Sequence, residues 1–337
     1  MVNGNKWVVC GRSAFSMTFR VCRHSIVTNR KGQGMIVDRR SILTLTAMCI
    51  ASPAIAFAND DRARIETLTV LSENNDFVPR IRIFLPPGYD GAERLHQTLY
   101  MLDGQYAFVG DSDGVSFEAD RRVTRLMGAG TIRPTVIVAI DNLGDDRFVQ
   151  YMPESVYTRA TQDVRSTVER EMERLGATSL MSNAFIRFLQ EQLKPYIDTN
   201  YQTSPDRLDT AIFGASMAGV MSGAIFVEAQ ESFGRGAAMS PNWPIYDERM
   251  IDHPSLPALW REYFSAVGAP DGRRLWLDHG TEMMDIGMAP HQSAIAEGLT
   301  NLGWRRGCNI QTRVYDAGHA FAQTATQMDE VLAWLLA

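Results

Sequence analysis

The segment Gly214-Ala215-Ser216-Met217-Ala218-Gly219 follows an apolar, strand-like run and precedes a run of small and apolar residues typical of a helix. A strand, a sharp turn and a helix place a serine hydroxyl at a helix N-terminus, and such a turn requires small neighbours. Alanine at 218 replaces the glycine that usually stands two residues after the serine, and it is small enough to fit. The pattern predicts Ser216 as a nucleophile, although a serine in this position is also an ordinary helix cap.

A serine hydroxyl is a poor nucleophile until a base removes its proton. Beyond residue 58 the chain has five histidines, namely His96, His253, His279, His291 and His319. His319 follows a predicted strand and the flexible pair Ala317-Gly318, and it precedes the last predicted helix. This matches the chain order serine, acid, histidine, so we predict His319 as the general base.

The acid is expected on the loop after the strand that precedes the histidine-bearing strand. That loop reads Leu277-Asp278-His279-Gly280-Thr281-Glu282-Met283-Met284-Asp285. Asp278 falls within the strand end, whereas Glu282 and Asp285 both lie on the loop. The sequence leaves these two carboxylates open as the group that orients the imidazole.

A tetrahedral intermediate needs backbone N–H donors for its oxyanion. One predicted donor is the N–H of Met217, directly after the serine. The second is expected from the turn Asp103-Gly104-Gln105-Tyr106, where Gly104 lets the backbone turn and Gln105 or Tyr106 supplies the N–H.

Several aromatic side chains are candidates for a substrate pocket. Tyr106 and Phe108 lie in and just after the predicted oxyanion turn, and Trp243 lies near the start of the segment 242–269 that also contains Trp260. Large aromatic residues serve equally as core packing, so a pocket wall and a core position both stay open for them.

Strand-like and helix-like segments alternate, which predicts an α/β fold with a mostly parallel sheet and helices on both faces. Predicted strands span 80–85, 98–102, 135–140, 210–213, 236–239, 275–278 and 311–315, and predicted helices span 184–194, 217–229 and 328–336. The highly charged stretch 155–178 and the stretch 242–269 are predicted to be short, lid-like insertions.

The first 58 residues differ in character from the rest of the chain. Arg39-Arg40, the apolar run 42–58 and the end Ala56-Phe57-Ala58 have the three parts of an export signal, and the arginine pair resembles a twin-arginine signal. We predict that residues 35–58 are a cleaved signal, with an uncleaved N-terminal anchor as the alternative. Residues 1–34 are predicted to be an overextended N-terminus or a poorly ordered tail, and residues 59–337 a single domain exported to the periplasm or secreted.

The charge balance limits the class of partner. The whole chain has a net charge of -6, but residues 59–337 carry 25 basic and 38 acidic residues. An acidic body is a poor match for nucleic acid or an anionic membrane, so we expect neither as a stable partner. Beyond residue 58 the only cysteine is Cys308, which excludes an internal disulfide or a cysteine-pair metal site there.

Short motifs over residues 65–337 occur in the order of a known family, at 85–90, 99–105, 138–142, 193–201, 214–219, 280–282 and 318–319. The chain resembles the Putative esterase family of α/β-hydrolases, which includes S-formylglutathione hydrolase, feruloyl and acetyl-xylan esterases, enterochelin esterases and antigen 85 mycolyltransferases. The resemblance implies the α/β-hydrolase fold, no metal or organic cofactor, Ser216 as nucleophile, His319 as base and a carboxylate on the Gly280 loop. Many members place that acid three residues after the glycine, where this chain has Met283.

The predicted activity is hydrolysis of a small-molecule carboxylic ester through an acyl-enzyme. Two alternatives remain, an acyltransferase of the same fold and a non-catalytic binding protein that kept the fold. The sequence leaves open which ester is cleaved and the oligomeric state.

Overall fold

The computed structural model of the chain describes residues 62–69, 79–92, 95–245 and 247–337. The predicted leader, comprising the signal at 35–58 and the upstream stretch 1–34, lies outside the described residues. The described residues belong to one compact unit.

Eight strands among the described residues form one sheet in the order β1-β2-β4-β3-β5-β6-β7-β8. They span Arg64–Thr69 (β1), Arg80–Leu85 (β2), Gln97–Leu102 (β3), Thr135–Ile140 (β4), Thr210–Ala215 (β5), Arg235–Met239 (β6), Arg274–Gly280 (β7) and Ile310–Tyr315 (β8). β2 is antiparallel to both of its neighbours, whereas every neighbouring pair from β4 to β8 is parallel. The carboxyl ends of the parallel strands therefore meet at one edge of the sheet, where ligand sites form in such folds.

Helices cover both faces of this sheet. They span Ala119–Gly128 (α1), Arg147–Tyr151 (α2), Glu154–Arg159 (α3), Gln162–Leu175 (α4), Ser182–Arg187 (α5), Lys194–Asn200 (α6), Met217–Glu228 (α7), Leu256–Ser265 (α8), Ala289–Asn301 (α9) and Phe321–Leu335 (α10). Because both faces are covered, the side chains of β3 and β4 are buried along their whole length. Buried side chains form one core cluster on each side of the sheet.

The seven predicted strands are confirmed to within two residues at each end. Their continuous apolar runs identified them because fully covered parallel strands are apolar on both faces. The strand order of the described sheet, with β2 as its one antiparallel strand and helices on both faces, is that of the α/β-hydrolase fold.

The helix predictions were less accurate. The predicted helix 184–194 is longer, because α5 continues through a π-helical turn at Phe188–Leu193 into α6. Pro195 cannot donate an N–H to a regular helix, and the wider π turn directly before it removes the need for that bond. The helix predicted at 328–336 begins seven residues earlier, at Phe321. Its first turns were not predicted because they carry polar residues.

Both predicted insertions contain helices. The charged stretch 155–178 forms most of α3 and all of α4, where Val164, Thr167 and Val168 are buried at helical spacing. The stretch 242–269 contains α8, whose apolar side packs into the core through Trp260 and Phe264. Both insertions thus bury an apolar helix face.

Candidate active site

Ser216 lies in the tight turn between β5 and α7. Its backbone has φ 59° and ψ −126°, a left-handed conformation that costs energy for any residue with a side chain. A Cβ at Gly214 would lie 2.0 Å from the carbonyl oxygen of Ala218, so only glycine fits there. The Ser216 N–H donates to the Met239 carbonyl at 3.0 Å, which fixes the turn against the end of β6.

The strained turn packs against a helix of small residues. α7 is buried along almost its whole length, as its mostly small and apolar composition predicts. A Cβ at Gly219 would lie 3.0 Å from the Met239 carbonyl oxygen, so glycine allows this close packing. Alanine at 218, where the usual motif has glycine, is accommodated with no exposed surface.

His319 lies in the loop between β8 and α10, with its ring facing Ser216. The distance from His319 Nε2 to Ser216 Oγ is 2.8 Å, within hydrogen-bonding reach. The Gly318 N–H donates to the Gln323 side chain at 2.7 Å, which ties the loop to the first turn of α10. The structure therefore brings together the serine and the histidine that chain order predicted.

Asp285 is the carboxylate beside this histidine. Its Oδ1 lies 2.6 Å from His319 Nδ1, and its side chain is almost completely buried. Its Oδ2 accepts hydrogen bonds from the Ser240 hydroxyl and, at 2.6 Å, from the Gly280 N–H. Glu282 is exposed at the start of the short 3-10 turn Met283–Gly287, which carries Asp285 inward.

These contacts determine the charge of the carboxyl group. Burial works to raise the pKa of Asp285, but hydrogen bonds from His319, Ser240 and the Gly280 N–H outweigh it and hold the pKa below its usual value. An ionised carboxylate only accepts hydrogen bonds, so His319 Nδ1 carries the proton and Nε2 is free to accept the proton of Ser216. The arrangement has the geometry required to activate a serine hydroxyl.

A second buried carboxyl group lies behind this triplet. Asp278 near the end of β7 accepts hydrogen bonds from Trp276 Nε1 at 2.7 Å and from the Ser240 N–H at 2.8 Å. Burial raises the pKa of Asp278 to about 7. Its bond to Ser240 helps to hold the residue whose hydroxyl contacts Asp285.

The predicted oxyanion donors lie at two adjacent strand ends. Met217 is the first residue of α7, so its N–H has no acceptor within the helix. In the 3-10 turn Gly104–Tyr106, the Tyr106 N–H donates to the Asp103 carbonyl at 2.9 Å. The N–H of Tyr106 is therefore already used within the turn. Gln105 comes one residue earlier, which makes its N–H the stronger candidate for the second oxyanion donor.

A pocket of about 270 Å³ opens beside Ser216 and His319. Three aromatic rings form one side: the ring centroids of Tyr106 and Phe321 are 5.1 Å apart, and those of Phe117 and Phe321 are 4.4 Å apart. Neither the stretch 155–178 nor the stretch 242–269 contributes a residue to the pocket lining.

The expected pocket residues Phe108 and Trp243 lie elsewhere. Phe108 is buried and packs against Phe84, with ring centroids 6.2 Å apart. Trp243 has no exposed surface and packs against Trp260, with ring centroids 4.7 Å apart. Phe108 and Trp243 therefore occupy core positions, the alternative that the sequence left open for them, whereas Tyr106 lines the pocket. Phe117 and Phe321 were not predicted, because no motif separates their pocket positions from core positions.

Charged and polar side chains also line the pocket. Arg147, the first residue of α2, binds the Asp103 carboxylate through two nitrogens on one edge of its guanidinium, from Nε to Oδ1 at 2.9 Å and from Nη2 to Oδ2 at 2.6 Å. Asn142 donates to the same carboxylate at 2.7 Å. This group was not predicted; the only signal for it was that Asp103 and Asn142 follow the ends of predicted strands.

The remaining candidate residues lie outside this site. His96, His253 and His291 do not line the pocket, and His279 lines a separate concavity behind the acid loop. Cys308 is half-buried and forms no disulfide. Within the described residues, no cluster of three or more His, Cys, Asp or Glu side chains is arranged to hold a metal ion, and no helix has the length and apolar character to cross a membrane.

Comparison with known proteins gives a family and a set of similar folds. The model of the family described as Putative esterase matches residues 74–335. No curated protein matches the chain.

Solved structures share the fold at low sequence identity. A ferulic acid esterase is 17% identical with a TM-score of 0.54, over 82% of this chain and 98% of that chain. An IroE-like serine hydrolase from Shewanella oneidensis is 16% identical with a TM-score of 0.58, over 81% of this chain and 80% of that chain. The enterobactin esterase FES from Shigella flexneri is 18% identical with a TM-score of 0.58, over 81% of this chain and 58% of that chain.

Proposed function

Because the chain belongs to the Putative esterase family, we propose that it hydrolyses a carboxylic ester through a covalent acyl-enzyme formed on Ser216. The observation that carries the proposal is the pair of contacts through His319, 2.8 Å from Nε2 to Ser216 Oγ and 2.6 Å from Nδ1 to Asp285 Oδ1. Together they supply a nucleophile, a base and the carboxylate that orients the base.

In the first half of the reaction, Ser216 Oγ attacks the ester carbonyl carbon while His319 Nε2 takes the hydroxyl proton. Asp285 stabilises the imidazolium that forms, because its low pKa keeps it ionised. The carbonyl oxygen becomes an oxyanion, which the N–H groups of Met217 and Gln105 stabilise. The C–O bond of the ester then breaks, and His319 returns its proton to the leaving alcohol.

In the second half, water replaces the alcohol. His319 takes a proton from the water as the oxygen attacks the acyl carbon, and the same two N–H groups receive the second oxyanion. Collapse of this intermediate releases the carboxylic acid and returns the proton to Ser216 Oγ. No metal or organic cofactor takes part in this scheme.

The lining of the pocket favours the binding of esters that carry a flat aromatic group. Tyr106, Phe117 and Phe321 give it an aromatic side, and rings stack or meet edge to face at these separations. One protein of similar fold is a ferulic acid esterase, whose name specifies an aromatic acid. We propose an aromatic acyl ester as the preferred substrate class.

Turnover of a p-nitrophenyl ester by residues 59–337 tests the proposal. Ser216→Ala should abolish turnover while its thermal unfolding stays close to that of the wild type, because the hydroxyl makes no bond that holds the fold together. Full activity in this variant would contradict the mechanism. Added alcohols provide a second readout, since transfer of the acyl group to alcohol in preference to water would identify an acyltransferase.

Export remains a prediction from the sequence. Cleavage after Ala58 would leave Asn59 as the first residue of the exported protein. N-terminal sequencing of protein recovered from the periplasm or medium tests this, and an intact leader on the exported chain would contradict it.

A further inference from the structure

Arg82 on β2 contacts the turn that carries the proposed second oxyanion donor, although it does not line the pocket. We propose that Arg82 is a positioning residue for ester hydrolysis, which fixes and polarises the peptide unit joining Gly104 to Gln105. The inference rests on the proposed function, because it assigns to Arg82 a role that acts through the Gln105 N–H.

The path of the turn explains how a residue on β2 reaches it. In the sheet, β4 lies between β2 and β3, and the turn follows β3. A Cβ at Gly104 would lie 2.5 Å from the backbone nitrogen of Ile140 at the end of β4. The turn therefore lies directly against the end of β4, and glycine is required because the two backbones touch. This places the Gly104 carbonyl within reach of Arg82 on the next strand.

The Arg82 guanidinium is itself held rigidly. Its Nη1 and Nη2 donate to the two oxygens of Asp111 at 2.7 and 2.9 Å, and its carbon lies 5.0 Å from the centroid of the Phe108 ring. The side chain is only 12% exposed. Asp111 also accepts a hydrogen bond from the Phe108 N–H at 2.7 Å. The carboxylate that binds Arg82 is therefore itself fixed within the loop that continues from the Gly104 turn.

From this position Nη2 of Arg82 also donates to the carbonyl oxygen of Gly104. The same oxygen accepts the Ala107 N–H at 3.0 Å. The Gly104 carbonyl and the Gln105 N–H belong to one planar trans peptide, in which C=O and N–H point in opposite directions. A hydrogen bond that fixes the oxygen therefore fixes the direction of the N–H.

The charge of Arg82 adds to this geometric effect. A cation at the carbonyl oxygen draws electron density from the peptide nitrogen and strengthens its N–H as a donor, as in any chain of polarised hydrogen bonds. Charge-assisted hydrogen bonds are also stronger than neutral ones. Arg82 thus favours the negatively charged transition state over the neutral bound ester, so its loss should act on kcat more than on KM.

The test compares Arg82→Met with Arg80→Met. Arg80 lies on the same strand and also pairs with an aspartate, Asp141 at 2.7 Å, but it has no described contact with the Gly104 turn. Each variant is titrated with a fluorophosphonate probe, so that kcat refers to active sites rather than to total protein. A trifluoromethyl ketone, which adds to the serine and forms an oxyanion, measures the oxyanion site separately.

For Arg82→Met we expect kcat per active site to fall by roughly 10- to 100-fold, somewhat less than the loss expected for a deleted oxyanion donor. The affinity for the trifluoromethyl ketone should fall by a similar factor, with KM within about twofold of wild type. A purely structural role would lower the titrated fraction and leave kcat per site unchanged. Arg80→Met should match the wild type in both values.

A folded Arg82→Met protein with the kcat per site and inhibitor affinity of Arg80→Met overturns the proposal. If Arg82→Met does not fold, Arg82→Lys decides by the same two values. A lysine ammonium cannot bind the Asp111 carboxylate and the Gly104 carbonyl with the planar geometry of the guanidinium. A threefold or greater loss in both values supports the proposal, and wild-type values in both overturn it. Absence of turnover and labelling in the wild type would instead contradict the proposed function.

Discussion

The Asp285 carboxylate binds His319 Nδ1 at 2.6 Å through Oδ1, while its Oδ2 accepts from the Ser240 hydroxyl and from the Gly280 N–H. Donors from the ends of two neighbouring strands, β6 and β7, thus hold the carboxylate that faces the histidine. Both oxygens are fixed, so the carboxylate cannot rotate away from the imidazole. The contact with His319 distinguishes Asp285 from Glu282, which lies three residues earlier on the same loop.

Replacing Asp285 tests which acid orients the histidine. Asp285→Asn should lower kcat by roughly 10³- to 10⁴-fold, because an amide cannot stabilise the imidazolium and favours the wrong tautomer. Glu282→Gln is the matched control and should stay within about twofold of wild type, since its side chain is exposed. Steady-state kinetics on one ester measures both. The reverse ranking of the two variants would assign the acid to Glu282.

The Arg147–Asp103 pair beside the pocket predicts a stability effect. Arg147→Met leaves the Asp103 carboxylate, only 9% exposed, without its cation, and should lower the free energy of unfolding by about 3 kcal/mol. The double variant Arg147→Met/Asp103→Asn should recover most of that loss, because it removes the unpaired charge. Urea unfolding measures the three proteins. A double variant no more stable than Arg147→Met would contradict this account.

The aromatic side of the pocket predicts a change in substrate preference. Phe321→Ala should lower kcat/KM for ethyl ferulate roughly tenfold, the loss expected for one aromatic contact. Ethyl acetate, which shares the leaving alcohol but has no ring, should be affected by less than about twofold. An equal loss on both esters would place Phe321 in a general structural role.

His291 in α9 predicts a loss of stability in mild acid. Burial of the ring lowers the pKa of His291 to about 4, against a weaker opposing contact with the Ile251 backbone. Between pH 6.5 and 4 the unfolded chain therefore binds a proton at this residue that the folded chain does not. The free energy of unfolding should fall across this range by about 3 kcal/mol through His291 alone.

His291→Gln removes this contribution. Asp278 acts in the opposite sense, since its raised pKa makes the folded state bind the extra proton, but it is present in both proteins and cancels in their difference. The variant should therefore lose less stability than the wild type between pH 7 and pH 4.5 in urea unfolding. Parallel pH profiles for the two proteins would contradict the assignment.

The sheet was predictable because its strands are unusual in composition. Strands such as β3 and β4 are buried on both faces, so their apolar runs are continuous and end at recognisable turns. The edge strand β1 alternates polar and apolar residues over a short span and was not predicted. The stretch that forms most of α3 and all of α4 was interpreted as a lid-like insertion, without helices assigned, because it is highly charged.

The candidate site was predictable where chain order determines position. Ser216 and His319 follow strands that end at the same edge of the sheet, so their meeting follows from topology. The choice between Glu282 and Asp285 depends on the 3-10 turn Met283–Gly287, whose direction no local motif specifies.

Contacts between distant segments were beyond prediction from one sequence. Arg82 meets the Gly104 carbonyl because the turn after β3 lies against the end of β4, which is the strand between β2 and β3 in the sheet. Phe321 and Phe117 line the pocket while Trp243 enters the core, although all three are large aromatic residues. Such differences arise only when the complete fold brings the segments together.

Labelling with a fluorophosphonate probe, followed by peptide mass spectrometry, tests the central claim most directly. We expect one probe per chain, attached to the peptide that contains Ser216. Labelling should be absent in Ser216→Ala and complete in Ser265→Ala, an exposed serine outside the pocket. Stoichiometric labelling of Ser216→Ala, or attachment to another residue of the wild type, would contradict the claim that Ser216 carries the acyl group.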